Sequence, residues 1–441
     1  MATDARTIIK KNIDNAIRIS LDFRIMRKED YMKYISSGSI TTTNPRDPEK
    51  VRVPSKMIIG GYYQMHFKGE SFESMLNWHY QKNMLLQSKP SFDINEAEAC
   101  YDYLKDGQNF ITEFKKTNEL ESMISKFIGA KYTIMTTSGN MALILALMAY
   151  DFKAEDEIIV PNYTMIATIN SIKMVGAKPV LVDVDPDSLT LNLETIKKAT
   201  TEKTRAIMHV SLNNRHSGIS EIAEYSKANN IVLIEDAAQS LGCFINGKHY
   251  GTFGDLGCFS LSTPKIISTG QGGFIVTDND ELAKKLTMIK NFGRTMGGID
   301  IFSTFGINAK FTDIQAVIGI EQMKKIQQRI ERLGEIYKLY YDNLSEFMIP
   351  IQFNGWIPWF VDIFIENRGD LIEFLKIHNI QTRATYPEIN KTPMYNDGKT
   401  FSVSNFVSEK GLFLPTHMDL SDNQIIHICK LIKLFKNSTY F

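Results

Sequence analysis

The chain has no excess of charge of either sign: Lys and Arg together number 50, and so do Asp and Glu. That balance gives no bulk attraction to nucleic acid or to an anionic membrane surface, so neither is expected as a partner. Cysteine is scarce. The four, Cys100, Cys243, Cys258 and Cys429, are scattered and form no C-x-x-C pair. This argues against a zinc site or a disulfide framework and suits reduced, mostly buried thiols in a cytoplasmic protein. No apolar run approaches the roughly 18 residues that a membrane span needs. The opening stretch MATDARTIIKKNIDNAIRIS lacks an apolar core and carries Asp4 and Asp14, so neither a secretory signal nor a transit peptide is expected. There is no internal repeat and no low-complexity tract.

What is present is an alternation. From about Lys131, short β-branched or apolar runs (KYTIMTT, DEIIVP, KPVLVDV, RAIMHVSL, IVLIED) are separated by segments apolar at helical spacing (SGNMALILALMAY, TMIATINSIKMV, LETIKKA, ISEIAEYSKANN). Nearly continuous apolar strands between amphipathic helices predict an α/β domain with a mostly parallel sheet covered on both faces. Phe311 to Leu344 reads as one long helix. The last hundred or so residues, with helical RGDLIEFLKIH and SDNQIIHICKLIKLF and strand-like WFVDIFI and GLFLP, predict a smaller α+β domain. Before Asn83 the pattern differs: a helix is expected at Asp4–Ile17, then a polar turn-rich stretch, then an aromatic-rich segment from Gly60 to Tyr80. The expected organisation is a 1–83 extension of unknown role, a large domain over 84–330 and a small one over 331–441.

Three places carry candidate chemistry. Asp236 ends the strand IVLIED, at the carboxyl edge where open α/β sheets bind ligands; such a carboxylate can pair with a ring nitrogen, or merely cap a helix. Ser138-Gly139-Asn140 stands where a strand turns into a helix, which suits either an anion on free backbone N–H groups or a simple N-cap. Lys265 follows Ser260 by five residues and precedes STGQGG, which is no P-loop, because no GK[ST] follows. A lysine near a bound phosphate and a carboxylate can form a Schiff base with an aldehyde cofactor; a solvated loop lysine is the plainer alternative.

In order, the S-G-x turn, EDAAQ, FSLSTPK and TGQGG resemble the DegT family of pyridoxal-phosphate enzymes, the sugar-nucleotide aminotransferases with the aspartate aminotransferase-type (fold type I) architecture. The likeness spans Pro90 to about Lys436, with further blocks in VPNYTMIAT, GAKPVLVDVDPDSLTLN, FGINAKFTDIQAVIG, IQTRATYPEINKTPMY and GLFLPTHMDLS. The resemblance implies that Lys265 holds the cofactor and shuttles a proton, and that Asp236 pairs with the pyridine nitrogen. Gln239 would reach the 3′ oxygen, and Ser138, Gly139, Asn140 and Ser260 would hold the phosphate. Asn308 would come from the second subunit of a homodimer. An aromatic usually stacks on the cofactor near Met165; Tyr163 is a candidate substitute. Relatives that remove a 3-hydroxyl carry histidine in place of the lysine, so Lys265 implies transamination. Glutamate would load the cofactor to its pyridoxamine form, which would aminate a nucleotide-linked 4-keto-6-deoxy sugar, nearest to perosamine synthases with a GDP-linked substrate. UDP- or dTDP-linked sugars, amination at C3 rather than C4, a 3-dehydratase and a non-catalytic regulator are the alternatives.

The chain departs from the family pattern in several places. Asn140 replaces the usual Thr or Ser, Lys310 the usual arginine and Gln271 the usual glutamate. HVSLNNRHSG replaces the common H-x-Y-G-x-P form. His209 and His216 lack a third ligand, so no metal is expected, and His209 is assigned to a substrate pocket or to structure. Arg383 and Tyr386, in TRATYP, are candidate substrate contacts. Trp356, Trp359 and Phe360 are expected in the core.

Overall fold

The alternating pattern takes shape as a layered α/β body. In the computed structural model the described residues are 84–438, apart from 106, 108, 217, 297–298 and 350–356, together with the strand pair Met57–Ile58 and Gln64–Met65. The chain divides into two units, Met1–Asn83 and Met84–Phe441. In the first, the two short strands pair antiparallel. The helix expected at Asp4–Ile17, most of the 60–80 segment and Trp356 lie outside the described residues.

In the second unit α1 (Ile94–Leu104) and α2 (Lys115–Ile128) lead into β1 (Tyr132–Thr136). Then come α3 (Gly139–Met148), β2 (Glu157–Pro161), α4 (Ile166–Met174), β3 (Lys178–Val182), α5 (Leu193–Ala199), β4 (Thr204–Val210), α6 (Ile219–Ala228) and β5 (Val232–Asp236). β6 (Leu256–Ser260) and β7 (Gly273–Thr277) complete a seven-stranded sheet ordered β1-β7-β6-β5-β4-β2-β3. Its pairs are parallel except those of β7, which is antiparallel to both neighbours. The 261–272 connection contains no helix, so it cannot make the crossover that a parallel return requires.

Both faces of the sheet are covered. Ile159, Ile207 and Leu233 join one buried cluster, while Ile158, Val160, Met208 and Ile234 join another. Successive strand residues point to opposite faces, which is why these strands read as continuous apolar runs. After α7 (Asp280–Ile289), the segment expected as one helix is two, α8 (Asp313–Lys324) and α9 (Ile326–Leu344). The break falls at Lys325, whose ammonium reaches Glu96 at 2.6 Å and Asp93 at 2.7 Å. After α9 come β8 (Asp362–Phe364), α10 (Arg368–Ile377), β9 (Arg383–Ala384), α11 (Ser402–Lys410), β10 (Gly411–Phe413) and α12 (Asp422–Ser438). Here β8 and β9 flank β10 in an antiparallel sheet. Among the described residues no helix is long and apolar enough to cross a membrane, and no cluster of metal-ligating side chains occurs.

Candidate active site

Strand register gathers the chemistry at one edge of the large sheet. Gly273 pairs with Ser260 on one side and Thr136 on the other, while Asp236 pairs with Cys258 and Val210. Ser260 therefore lies two residues beyond the level of Asp236, about 6.6 Å along the strand direction. At the same edge α3 begins, with Ser138 as its N-cap accepting the Met141 N–H at 3.1 Å. A Cβ on Gly139 would stand 2.7 Å from Ser260 Cβ, and one on Gly273 would stand 2.5 Å from Gly139 N. Glycine at both positions lets the helix N-terminus close onto the Ser260 hydroxyl. Free N–H groups, the helix dipole and two serine hydroxyls then make an anion cradle, with Asn140 exposed on its rim.

Asp236 is buried. Its Oδ2 accepts from Thr168 Oγ1 at 2.8 Å and its Oδ1 from the Ala238 N–H at 3.2 Å. Burial raises its pKa; the two hydrogen bonds and the Lys265 charge oppose that shift. Thr168 Oγ1 also lies 3.0 Å from Thr164 Oγ1. Because Thr168 gives its proton to Asp236, Thr164 is the donor of that second bond. Met165 is the N-cap residue of α4, one turn before Thr168, with Sδ accepting the Ala167 N–H. Tyr163, by contrast, is enclosed among Val184, Leu189, Val210, Leu212 and Val407.

Lys265 sits in the turn after β6. Its N–H donates to Ser262 O at 2.9 Å, and its ammonium lies 3.9 Å from the centre of the Trp359 ring. Trp359 Nε1 in turn donates to Pro264 O at 2.8 Å. Burial, chiefly, lowers the Lys265 pKa to about 7; nearby Arg383 adds to the effect and Asp236 opposes it. Arg383 occupies an aromatic box, its guanidinium 5.2 Å from the Phe413 ring, 5.5 Å from Tyr386, 5.8 Å from Phe360 and 5.9 Å from Trp359. It pairs with no carboxylate among the described residues.

Gln239 accepts the Asn213 N–H on Oε1 at 2.5 Å, and its Nε2 stands 3.5 Å from the Tyr386 hydroxyl. Gln239, Ser260, Lys265 and Trp359 line one open cleft. Two sequence candidates stand outside this constellation. His209 is fully buried on β4, and burial lowers its pKa to about 4. Asn308 is exposed and bridges Asn291. Trp359 and Phe360 are buried as expected, yet Trp359 also faces Lys265. Thr168, Asn213 and Trp359 were not singled out as site residues by sequence reasoning, since no motif or spacing marks them.

The DegT/DnrJ/EryC1/StrS aminotransferase family matches residues 91–433. A GDP-perosamine synthase of Escherichia coli O157:H7 is 31% identical over 359 residues, 79% of this chain and 97% of that protein. One from Vibrio cholerae is 29% identical over 361 residues, 79% of this chain and 98% of that protein. Among solved structures, a mutant GDP-4-keto-6-deoxymannose-3-dehydratase with bound GDP-perosamine superposes with a TM-score of 0.74 at 25% identity, covering 79% of this chain and 99% of that one.

Proposed function

The chain belongs to the DegT/DnrJ/EryC1/StrS aminotransferase family, and on that premise we propose that it moves an amino group from glutamate to a nucleotide-linked 4-keto-6-deoxy sugar, as a homodimer. GDP-4-keto-6-deoxymannose, giving GDP-perosamine, is the favoured substrate, because the relatives cited at 29% and 31% identity bear that synthase name. The enzyme is a pyridoxal-phosphate-dependent aminotransferase. The single observation that supports the reading most is the convergence of Lys265, Asp236 and the Gly139–Ser260 cradle at one sheet edge.

The residues fit the cofactor. The cradle that any larger residue than Gly139 would fill suits a phosphate, and buried Asp236 suits a ring N–H. When bound, pyridoxal phosphate supplies an electron sink for charge developing at the substrate carbon. Ser138, Gly139, Asn140 and Ser260 hold the phosphate in this reading, and Met165 covers the ring. Asp236, fixed by Thr168, accepts the ring N–H. Gln239 turns its Nε2 to the 3′ oxygen. Lys265, with its pKa lowered to about 7, is poised to accept or return a proton at Nζ near neutrality. Arg383 and Tyr386 stand on the substrate side, the guanidinium, which meets no carboxylate among the described residues, being available to an anionic group. Asn308 completes the phosphate site of a second copy. The exposed apolar residues near it in the chain, Phe292, Ile299, Ile301, Phe302 and Phe305, support such an interface.

The test is incubation of the cofactor-loaded protein with glutamate and GDP-, UDP- and dTDP-linked 4-keto-6-deoxy sugars, read by mass spectrometry. A 4-amino product from the GDP-linked sugar is expected. Ammonia release with no amino sugar would replace the proposal with dehydration.

A further inference from the structure

The segment that departs furthest from the family pattern, Ser211 to His216, lies against the cleft. After β4 the backbone makes a turn in which Asn213 (φ 51°) and Asn214 (φ 61°) are both left-handed. Asparagine bears that conformation better than most residues, but two in succession still cost roughly 1–3 kcal/mol each and persist only where surrounding bonds dictate them. Those bonds are present. Asn213 is 1% exposed. Its Oδ1 accepts the Phe360 N–H at 2.8 Å, and its Nδ2 donates to Asp362 Oδ2 at 3.1 Å. Arg215 holds the same carboxylate with two bonds of 2.7 Å. Asn214 Nδ2 donates to the Ile357 carbonyl. One turn thus grips the 357–362 segment, which carries Trp359 and, through it, the platform under Lys265.

The backbone of the same turn sets a polarity. The Asn213 N–H can only donate, so the Gln239 atom 2.5 Å from it must be the carbonyl oxygen. The Gln239 Nε2 is thereby the end left for other partners and stands 3.5 Å from Tyr386 OH. A glutamine free to flip could present either end.

We propose that Asn213 is a positioning residue of the cofactor site: its backbone N–H fixes Gln239 as a donor toward the cofactor's 3′ oxygen, and its side chain clamps the Trp359 wall beside Lys265 and holds that N–H in place. The inference rests on the proposed function, in which Gln239 faces that oxygen. A donor there draws negative charge away from the nitrogen that Lys265 supplies. Without it the oxygen is more negative, and the protonated form of that nitrogen is favoured.

Asn213→Gly still allows the left-handed backbone but removes both side-chain bonds that hold its N–H against Gln239 Oε1, so the turn loosens and the Gln239 amide is free to flip. The pH midpoint of the bound cofactor's visible absorption should then rise by about one unit, with cofactor affinity about tenfold weaker by fluorescence titration. Asn213→Asp retains the acceptor for Phe360 but faces Asp362 with a like charge, so its midpoint should shift in the same direction by a smaller amount. A purely structural role would lower the melting temperature and leave the midpoint in place; an unmoved midpoint in folded, loaded Asn213→Gly overturns the inference. Should Asn213→Gly fail to fold, the midpoint of Asn213→Asp decides. If the wild-type protein develops no visible band with pyridoxal phosphate, the proposed function fails instead, and the two failures are distinct.

Discussion

Lys265 owes its chemistry to where its ammonium rests rather than to a direct ion pair. The aromatic face of Trp359 at 3.9 Å replaces part of the water that burial removes. Asp236 and Arg383 act on it in opposite senses, and desolvation dominates, leaving the pKa at about 7 against an ordinary 10.5. A lowered lysine pKa means that the neutral amine is the main form above about 7, where an unperturbed lysine would remain charged. The cofactor-free protein should therefore capture pyridoxal phosphate at a rate that rises with pH through about 7 and then levels off. Stopped-flow growth of the visible band measures this. A rate still climbing tenfold per unit at about pH 9 would mean an ordinary lysine, and Lys265→Ala should show no such growth of the band.

The elements bring to that lysine what the sequence could only partly announce. Strands β1 to β5 and helices α3 to α6 were legible because short continuous apolar runs and 3.6-residue patterns are local. The S-G-x turn and IVLIED were legible as edge positions for the same reason. The break at Lys325 was not, since it coincides with bonds to Asp93 and Glu96, far back in the chain. Nor was the double asparagine turn, whose partner Asp362 is 149 residues away from Asn213. Trp359 carried only the general signal of an apolar residue, which places it in the core without saying that one face meets a lysine. The α3 cradle gives a sharp element-scale expectation. Gly139→Ala would force a methyl group to within 2.7 Å of Ser260 Cβ, and backbone there cannot yield without moving β6. Cofactor affinity should fall at least tenfold, or about 1.4 kcal/mol, with a smaller change in the melting temperature of the cofactor-free protein. Equilibrium dialysis with pyridoxal phosphate measures the first and calorimetry the second. Unchanged affinity would mean that the phosphate sits elsewhere.

At the scale of the whole molecule, the second unit exposes several large apolar residues close together in the chain. The hairpin formed by Arg294–Met296 and Ile299–Phe302 shows Ile299, Ile301 and Phe302 at 45%, 58% and 59% exposure, with Phe305 at 78% just after it. Exposed apolar residues grouped in this way suit burial against a second copy, as the proposed homodimer requires. Asn308 follows within six residues of the hairpin, and 292–293 and 303–309 are stitched to one another and to the end of α7 by backbone bonds. A second copy covering this face would bury the hairpin and bring each Asn308 toward the other's cradle, so assembly and cofactor binding should be lost together. Ile301→Asp with Phe302→Glu would place two charges in an apolar contact, with a large desolvation cost and no partner. Sedimentation should then show a folded monomer in place of a dimer, with weaker retention of pyridoxal phosphate although every residue in the cleft is intact. A double variant that remains dimeric would move the interface elsewhere; one that is monomeric yet keeps full cofactor affinity would separate Asn308 from the phosphate site.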